Sequence, residues 1–355
     1  MALSSTHRKK VLFMERRVVV STDPPNYESR LDQVAGWITP RDLHFVRSQH
    51  QAPEIDPETY RLRIEGDAVA RPIELSLADL KRLPSRSQVN WLECAGNSRV
   101  QYERVLGEAV DPAQLPWGQG AVSNAEWTGV SLSHVLDLAE ISPDAVDVMP
   151  EGLDEGKIAR PMPMQIARRP QTLLAYAMNG DPLPPDNGFP VRAIVPGWIG
   201  TNSIKWVGRI VVSKESIKVK WNTTSYAMHG PDYPDDPALT LQPIKSVVAL
   251  PWEAKLAAGP QTVRGFAWSP HGKVARVECS TDGGANWQDA ALLEPNQPLA
   301  WIRWELNWDP APGAYEIRTR ATDEQGNTQP DAVKWNSLGY LYSAVVAHPV
   351  TVGMD

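Results

Sequence analysis

Up to about Leu241, apolar residues switch between a two-residue period and a period of three to four; beyond it only the two-residue period persists. From Asp56 to Gly66, DPETYRLRIEG alternates apolar and polar positions, as a strand with one buried face does. SLADLKRLP follows, in which Ser76 and Asp79 have the spacing of a capping box and Pro84 ends the short helix they open. SQVNWLEC predicts a further strand that delivers Cys94 to a turn at Ala95-Gly96-Asn97. Leu132, Val135, Leu136 and Ala139 share one helical face within SLSHVLDLAEI, and PMPMQIARR, from Pro161, predicts a third helix. VRAIVPGWIGTNSIKWVGRIVVS, from Val191, reads as two strands joined by a Gly-rich turn. Strands interspersed with short helices predict an α+β domain.

After LQPIKSVVALPWEA the helical period disappears. TVRGFAWS, KVARVECSTDGG, WIRWELNW, AYEIRTRATDEQGN and GYLYSAVVAHPVTV are strand-like runs, with turn signals at Asp282-Gly283-Gly284 and Gln325-Gly326-Asn327. This pattern predicts an all-β immunoglobulin-like sandwich. Tyr315, near the start of a late strand, is a candidate tyrosine corner or a plain core tyrosine. The expected organisation is an N-terminal extension over 1–40, a mixed α+β domain over 41–240 and the sandwich over 241–355. No internal repeat or low-complexity tract interrupts it.

Length and apolar content suit about two globular domains. The net charge of −7 comes without a long basic block, which argues against a nucleic-acid partner. No apolar run approaches the roughly 18 residues of a membrane helix, so no membrane partner is expected. The N-terminus is basic, but Glu15, Arg16 and Arg17 interrupt its apolar part and no small-residue cleavage site follows. The expectation is a cytoplasmic chain, or a periplasmic one whose export signal has been removed. Abundant proline (32) and tryptophan (14) favour a β-rich, loop-rich architecture.

The two cysteines, Cys94 and Cys279, are too few for a disulfide framework or a cysteine-rich metal site. Cys279 sits in an alternating strand and reads as a small buried hydrophobe. Cys94 ends a strand, precedes a turn in which Gly96-Asn97 makes positive φ available, and has Arg99 five residues on. Such a thiol is either buried filler or placed to ionise. As a hydrolase nucleophile it needs a histidine base, for which no local signature exists. As a metal ligand it stands alone, without C-x-x-C, H-x-x-x-H or H-E-x-x-H. It would complete a metal held by other donors, such as the sulfurs of an organic cofactor.

LECAGNSR resembles the CAGN-R motif of the sulfite oxidase family of molybdenum enzymes. FVRSQH, WGQGAVSNAEWTGVSL, EGLD, NGFPVRAIVPGWIGTNSIKW and WNSLGYLYSAVVAHPVTV resemble further family blocks, in family order, from about residue 40 to the end. The resemblance implies a molybdopterin-binding domain followed by an immunoglobulin-like dimerisation domain. It also implies molybdenum bound by Cys94 and by the two sulfurs of a pyranopterin dithiolene (molybdopterin).

Residue by residue, it implies that Arg47 and Arg99 line an oxyanion pocket, where guanidinium forks give paired charge-assisted bonds. Tyr226, in WNTTSYAMHG, matches an active-site tyrosine, and Trp117, in LPWGQG, matches a pocket-wall tryptophan or serves packing. Phe45, Val46, Arg47, Ser48, Gln49, Asp154, Asn187, Arg192, Ser203, Ile204 and Lys205 match cofactor-binding positions. Three positions depart from the family pattern. Asn187 and Gln49 replace histidines and cannot add positive charge. Leu338 stands where animal sulfite oxidases carry a pocket arginine, a loss worth roughly 1.5–3 kcal/mol of charged hydrogen bonding.

The implied activity is oxidation of sulfite to sulfate by oxygen-atom transfer. With no C-x-x-C-H haem motif, the electrons pass to a separate acceptor, a cytochrome c or a small oxidant. Leu338 keeps two alternatives open within the family, a sulfane dehydrogenase and a nitrate reductase. From another class, a non-catalytic pterin-fold binding protein would carry no molybdenum.

Overall fold

A computed structural model describes residues 16–353. Its first part is built on one antiparallel β-sheet and one mixed β-sheet. In one, Ser85–Glu93, Val122–Ser131, Leu173–Met178 and Asp181–Pro182 lie side by side, and Arg192–Ile194 also pairs with Leu173–Met178. In the other the order is Ile73–Ser76, Arg61–Glu65, Val207–Ser213, Asp147–Gly152, Met162–Pro163, with Val207–Ser213 parallel to Arg61–Glu65. Leu62, Ile64, Ile210 and Val212 from one sheet, Val130 and Leu174 from the other, and Leu132, Val135 and Leu136 of a helix form one apolar cluster.

The helices are short, and Leu77–Arg82, Leu132–Leu138 and Met164–Ala167 each bury one turn or two of apolar face. Leu77–Arg82 begins with the expected reciprocal cap: Asp79 N donates to Ser76 Oγ (3.1 Å) and Ser76 N to Asp79 Oδ2 (3.0 Å). Such caps contribute about 1 kcal/mol. Leu132–Leu138 and Met164–Ala167 occupy the other two expected positions. Val100–Leu106 was not anticipated; Gly107 closes it in the left-handed region (φ 68°).

The last part is an all-β sandwich. Lys245–Val248, Gln261–Trp268, Ile302–Trp308 and Ala291–Leu293 form one sheet. Ala254–Ala257, His348–Gly353, Gly313–Asp323, Val274–Ser280 and Gln288–Asp289 form the other. Between them Val263, Ala267, Ile302 and Trp304 share a core with Val277, Cys279, Ile317 and Ala321. Burial holds the Cys279 thiol up at about 12, so it stays an inert apolar filler. Tyr315 Oη donates to Ala311 O (2.8 Å), four residues upstream, the bond a tyrosine corner makes.

The two strands expected within residues 191–213 are present, but Arg192–Ile194 and Val207–Ser213 belong to different sheets, and the segment between them crosses from one to the other. One sequence expectation is corrected: GYLYSAVVA is not a strand, since pairing begins only at His348. Tyr340, Tyr342 and Ala344 alternate because the extended segment lies across the first part of the chain. Tyr342 and Ala344 share a cluster with Tyr102, and Leu341 N donates to Ala95 O (2.8 Å). Within the stretch expected as an extension, residues 1–15 lie outside the described residues. Beyond them Tyr27 exchanges backbone bonds with Val46 (2.9 Å each way), and Leu31 and Val34 are buried.

Candidate active site

Strand Ser85–Glu93 runs from an exposed edge into full burial, so its last residues are covered on both faces. Trp91 packs towards Trp268 and Trp301 of the sandwich, and Leu92 and Cys94 towards Trp117 and Ile194. Glu93 is fully buried: Oε1 accepts from Lys245 Nζ (2.7 Å) and Oε2 from Trp268 Nε1 (2.9 Å). Both partners belong to the sandwich, which therefore braces the strand end that carries Cys94.

The turn after Cys94 is tied in place by Asn97. Its Oδ1 accepts from Ala121 N (3.0 Å), its Nδ2 donates to Glu93 Oε1 (2.9 Å), and its N donates to Cys94 O (2.9 Å). Positive φ falls on Ser98 (69°) rather than on the expected Gly96-Asn97. Gly96 is needed for space instead: a Cβ there would stand 2.4 Å from Arg99 Nη2. Gly339 meets the same side chain, where a Cβ would lie 2.7 Å from Arg99 Cγ. Arg99 thus occupies a slot between two glycines. Its Nε donates to Leu338 O (2.9 Å) and its Nη1 to Leu115 O (2.7 Å), and its guanidinium carbon lies 5.3 Å from the Tyr340 ring centroid. The backbone of Leu338 thus helps orient Arg99.

Cys94, 6% exposed, lies on the wall of a cleft. The segment from Phe45 to Gln49, Asp154, Asn187, Arg192, Ser203 to Lys205 and Tyr226 line the same cleft. The sequence places these groups in five separated stretches; the fold brings them together. Arg99 and Trp117 do not reach the cleft wall. Arg99 lies behind it, 4% exposed, and Trp117 is fully buried among Phe45, Leu92 and Cys94. The apolar surface of Trp117 is wholly used in packing, the role left open for it. Ile158, Asp186, Gly200, Thr201 and Trp206 also line the cleft and were not anticipated. Trp206 and Tyr226 both adopt positive φ (53° and 54°), a strain that collects at functional sites.

Buried positive charge dominates one end. Lys205 Nζ donates to Ser48 Oγ (2.6 Å) and Asp186 O (2.9 Å), and stands 4.2 Å from the Trp206 ring centroid. Burial, with Arg192 and Arg47 nearby, holds its pKa well below the usual lysine range. Arg192 donates to Ser203 O and Asn187 O (3.2 Å each), and burial lowers it to about 9. Arg47 Nη1 donates to Ser48 O and to Asn26 Oδ1 (3.4 Å). Three cations this close are costly without an anion between them. Asp154 Oδ1 accepts from Ile158 N (3.2 Å) while its buried Oδ2 has no partner, an acceptor left for a ligand donor. His44, behind this end, is fully buried; Nδ1 lies 2.9 Å from Phe45 O, and burial drives its pKa down to about 3.

Among the described residues no group of three or more His, Cys, Asp or Glu is arranged to hold a metal ion. A metal beside Cys94 therefore needs donors from a bound organic group, and an anionic group suits the three cations. The residues present fit a phosphate-bearing pterin that supplies its own sulfurs.

A family model described as the oxidoreductase molybdopterin binding domain matches residues 49–221, and one described as the Mo-co oxidoreductase dimerisation domain matches 237–352. Sulfite oxidase of Gallus gallus is 38% identical over 354 residues, covering 92% of this chain and 76% of that protein. The chain belongs to the sulfite oxidase family of molybdopterin oxidoreductases. Mitochondrial sulfite oxidase of Mus musculus is 35% identical over 334 residues, 87% of this chain but 60% of its own length. The crystal structure of the sulfane dehydrogenase SoxCD from Paracoccus pantotrophus superposes with a TM-score of 0.86 at 27% identity, covering 100% of this chain and 93% of that one. A molybdenum cofactor is thus a property of the family and of its cleft chemistry. No helix among the described residues is long and apolar enough to cross a membrane.

Proposed function

We propose that the chain oxidises sulfite to sulfate and passes the electrons to a separate acceptor, a cytochrome c or a small oxidant. In this reading residues 41–240 form the catalytic domain and 241–355 make a homodimer. The observation that carries it is the isolated thiol of Cys94 on a cleft that Lys205, Arg192 and Arg47 also line.

Lys205, Arg192, Ser48 and Asn187 would hold the phosphate end of the molybdopterin, Asp154 its ring donors, and Cys94 the molybdenum. When bound, that group supplies oxygen-atom transfer to a sulfur lone pair and takes up the electron pair. The chain's own residues bind and orient the substrate. Arg47 faces the cleft and offers a guanidinium to a pyramidal oxyanion. Arg99 acts from behind the wall, its positive charge held close to Cys94 and Tyr226 by two backbone carbonyls. Tyr226 presents a phenol that donates a hydrogen bond to an oxyanion oxygen. Its 5% exposure keeps water from competing for that bond.

A second reading, oxidation of a sulfane sulfur, is favoured by apolar Leu338, which shares a cluster with Tyr226 and Tyr340. An apolar side chain packed beside Tyr226 suits a less charged, more polarisable sulfur substrate. Steady-state rates of the molybdenum-loaded protein with sulfite, thiosulfate and nitrate, against a common artificial electron mediator, separate the readings. Sulfite is expected to give the highest kcat/KM. Thiosulfate at or above sulfite transfers the assignment to the second reading, and nitrate reduction faster than either oxidation overturns both.

A further inference from the structure

We propose that Arg160 is a positioning residue for Tyr226, fixing the phenol at the cleft from behind the wall; this rests on the reading of Tyr226 given above. Arg160 is 1% exposed and does not line the cleft. Its Nε donates to Asn202 Oδ1 (3.0 Å), and its Nη2 donates to Leu239 O and reaches Tyr226 O (3.5 Å). Asn202 ends the turn Gly200–Asn202, of which Gly200 and Thr201 face the cleft. One guanidinium therefore ties the cleft wall to both ends of the loop that begins at Tyr226, itself closed by Leu239 N donating to Tyr226 O (2.9 Å).

The ring is held as well as the backbone. The Arg160 guanidinium carbon lies 5.7 Å from the Tyr226 ring centroid, and Tyr340 stacks on Tyr226 at 5.3 Å and 16°. Arg99 in turn lies 5.3 Å from the Tyr340 ring centroid. The sequence of groups is cation, ring, ring, cation. Tyr226 has φ 54°, a conformation a non-glycine residue keeps only when its surroundings over-determine it. Arg160 is a poor choice for mere filling. It pairs with no carboxylate among the described residues, and its buried Nη1 has no hydrogen-bond partner. A well-packed apolar side chain would fill the same space without a buried charge.

The test is a double-mutant cycle on the molybdenum-loaded enzyme with Arg160→Met, Tyr226→Phe and the pair. Displacing an oriented group by an ångström costs about 10²-fold, so Arg160→Met should lower kcat/KM for sulfite by about that factor when Tyr226 is present. In the Tyr226→Phe background it should cost less than about 3-fold, since the two changes act through one group. Equal losses in both backgrounds overturn the proposal while leaving the role of Tyr226 intact. Wild-type kinetics in Tyr226→Phe alone overturn the Tyr226 reading and the proposal with it.

A readout independent of turnover is the ζ-¹³C-tyrosine NMR spectrum of protein isolated without molybdenum. The Tyr226 signal, identified by its loss in Tyr226→Phe, should move in Arg160→Met while tyrosines outside the stack keep theirs; an unmoved signal overturns the proposal. If Arg160→Met does not fold, Arg160→Lys keeps the charge but not the fork. It should show a smaller loss with the same non-additivity, and wild-type kcat/KM in Arg160→Lys overturns the need for the guanidinium.

Discussion

At the scale of single residues, Cys94 combines near-complete burial with a place on a cleft wall, and its removal tests chemistry separately from folding. Cys94→Ser is expected to unfold within about 1 kcal/mol of wild type, since one small side chain replaces another, and to lose turnover. Urea titration and sulfite oxidation measured together check this; a serine variant with wild-type turnover rules out a ligand role. Leu338→Arg adds a cation beside Tyr226 and Tyr340. It should tighten sulfite binding by about one to two orders of magnitude, read as a lower KM. His44 makes stability depend on pH. Its folded pKa of about 3 lies far below the ordinary 6.5, because burial penalises the imidazolium. Stability is therefore full above about pH 6.5 and falls by up to about 1.4 kcal/mol per pH unit as the unfolded chain takes up the proton. His348, also lowered by burial, acts in the same direction. Urea midpoints between pH 7.5 and 5 should fall accordingly, and more shallowly in a folded His44→Gln.

At the scale of elements, the end of strand Ser85–Glu93 is held by the ion pair of Glu93 with Lys245, whose side chains are 1% and 3% exposed. Removing one partner of such a pair leaves an uncompensated buried charge, so Lys245→Met should cost about 3–5 kcal/mol. The companion Glu93→Gln should recover part of that loss in the double variant, measured by urea unfolding. Neither partner was legible in the sequence as a pair, since they are 152 positions apart. The cap at Ser76 and Asp79 was legible, because both of its halves lie within one turn. The alternation of GYLYSAVVA was legible too, but a two-residue period reports an extended chain with one buried face. It does not report whether a neighbouring strand is there to pair. Val100–Leu106 was missed because only Gln101 and Tyr102 are buried in it, too few to write a helical stripe. Gly107, in the left-handed cap position, was the available signal.

At the scale of the whole molecule, the change of period near Leu241 divides a mixed α+β part from a sandwich, and the two share a core around Trp91, Trp268 and Trp301. Most residues that line the cleft between Phe45 and Tyr226 fall within the motif blocks, but Ile158, Asp186 and the wall behind them do not. The resemblance of CAGNSR to a family motif made Arg99 a pocket arginine; its place behind the cleft wall depends on Gly339 and Leu338, far along the chain. Arg160, just ahead of the helix expected from Pro161, carried no signal of its own. If the sandwich makes the dimer, sedimentation equilibrium should return twice the mass of one chain, and a monomer would contradict the assembly without touching the chemistry. X-ray absorption at the molybdenum edge, on wild type and Cys94→Ser, reaches the centre of the chemistry itself. The sulfur shell of the wild-type metal should hold the dithiolene pair plus one further sulfur, and that of the serine variant the pair only. Molybdenum-loaded proteins with the same sulfur shell would show that the chain contributes no thiolate to the metal.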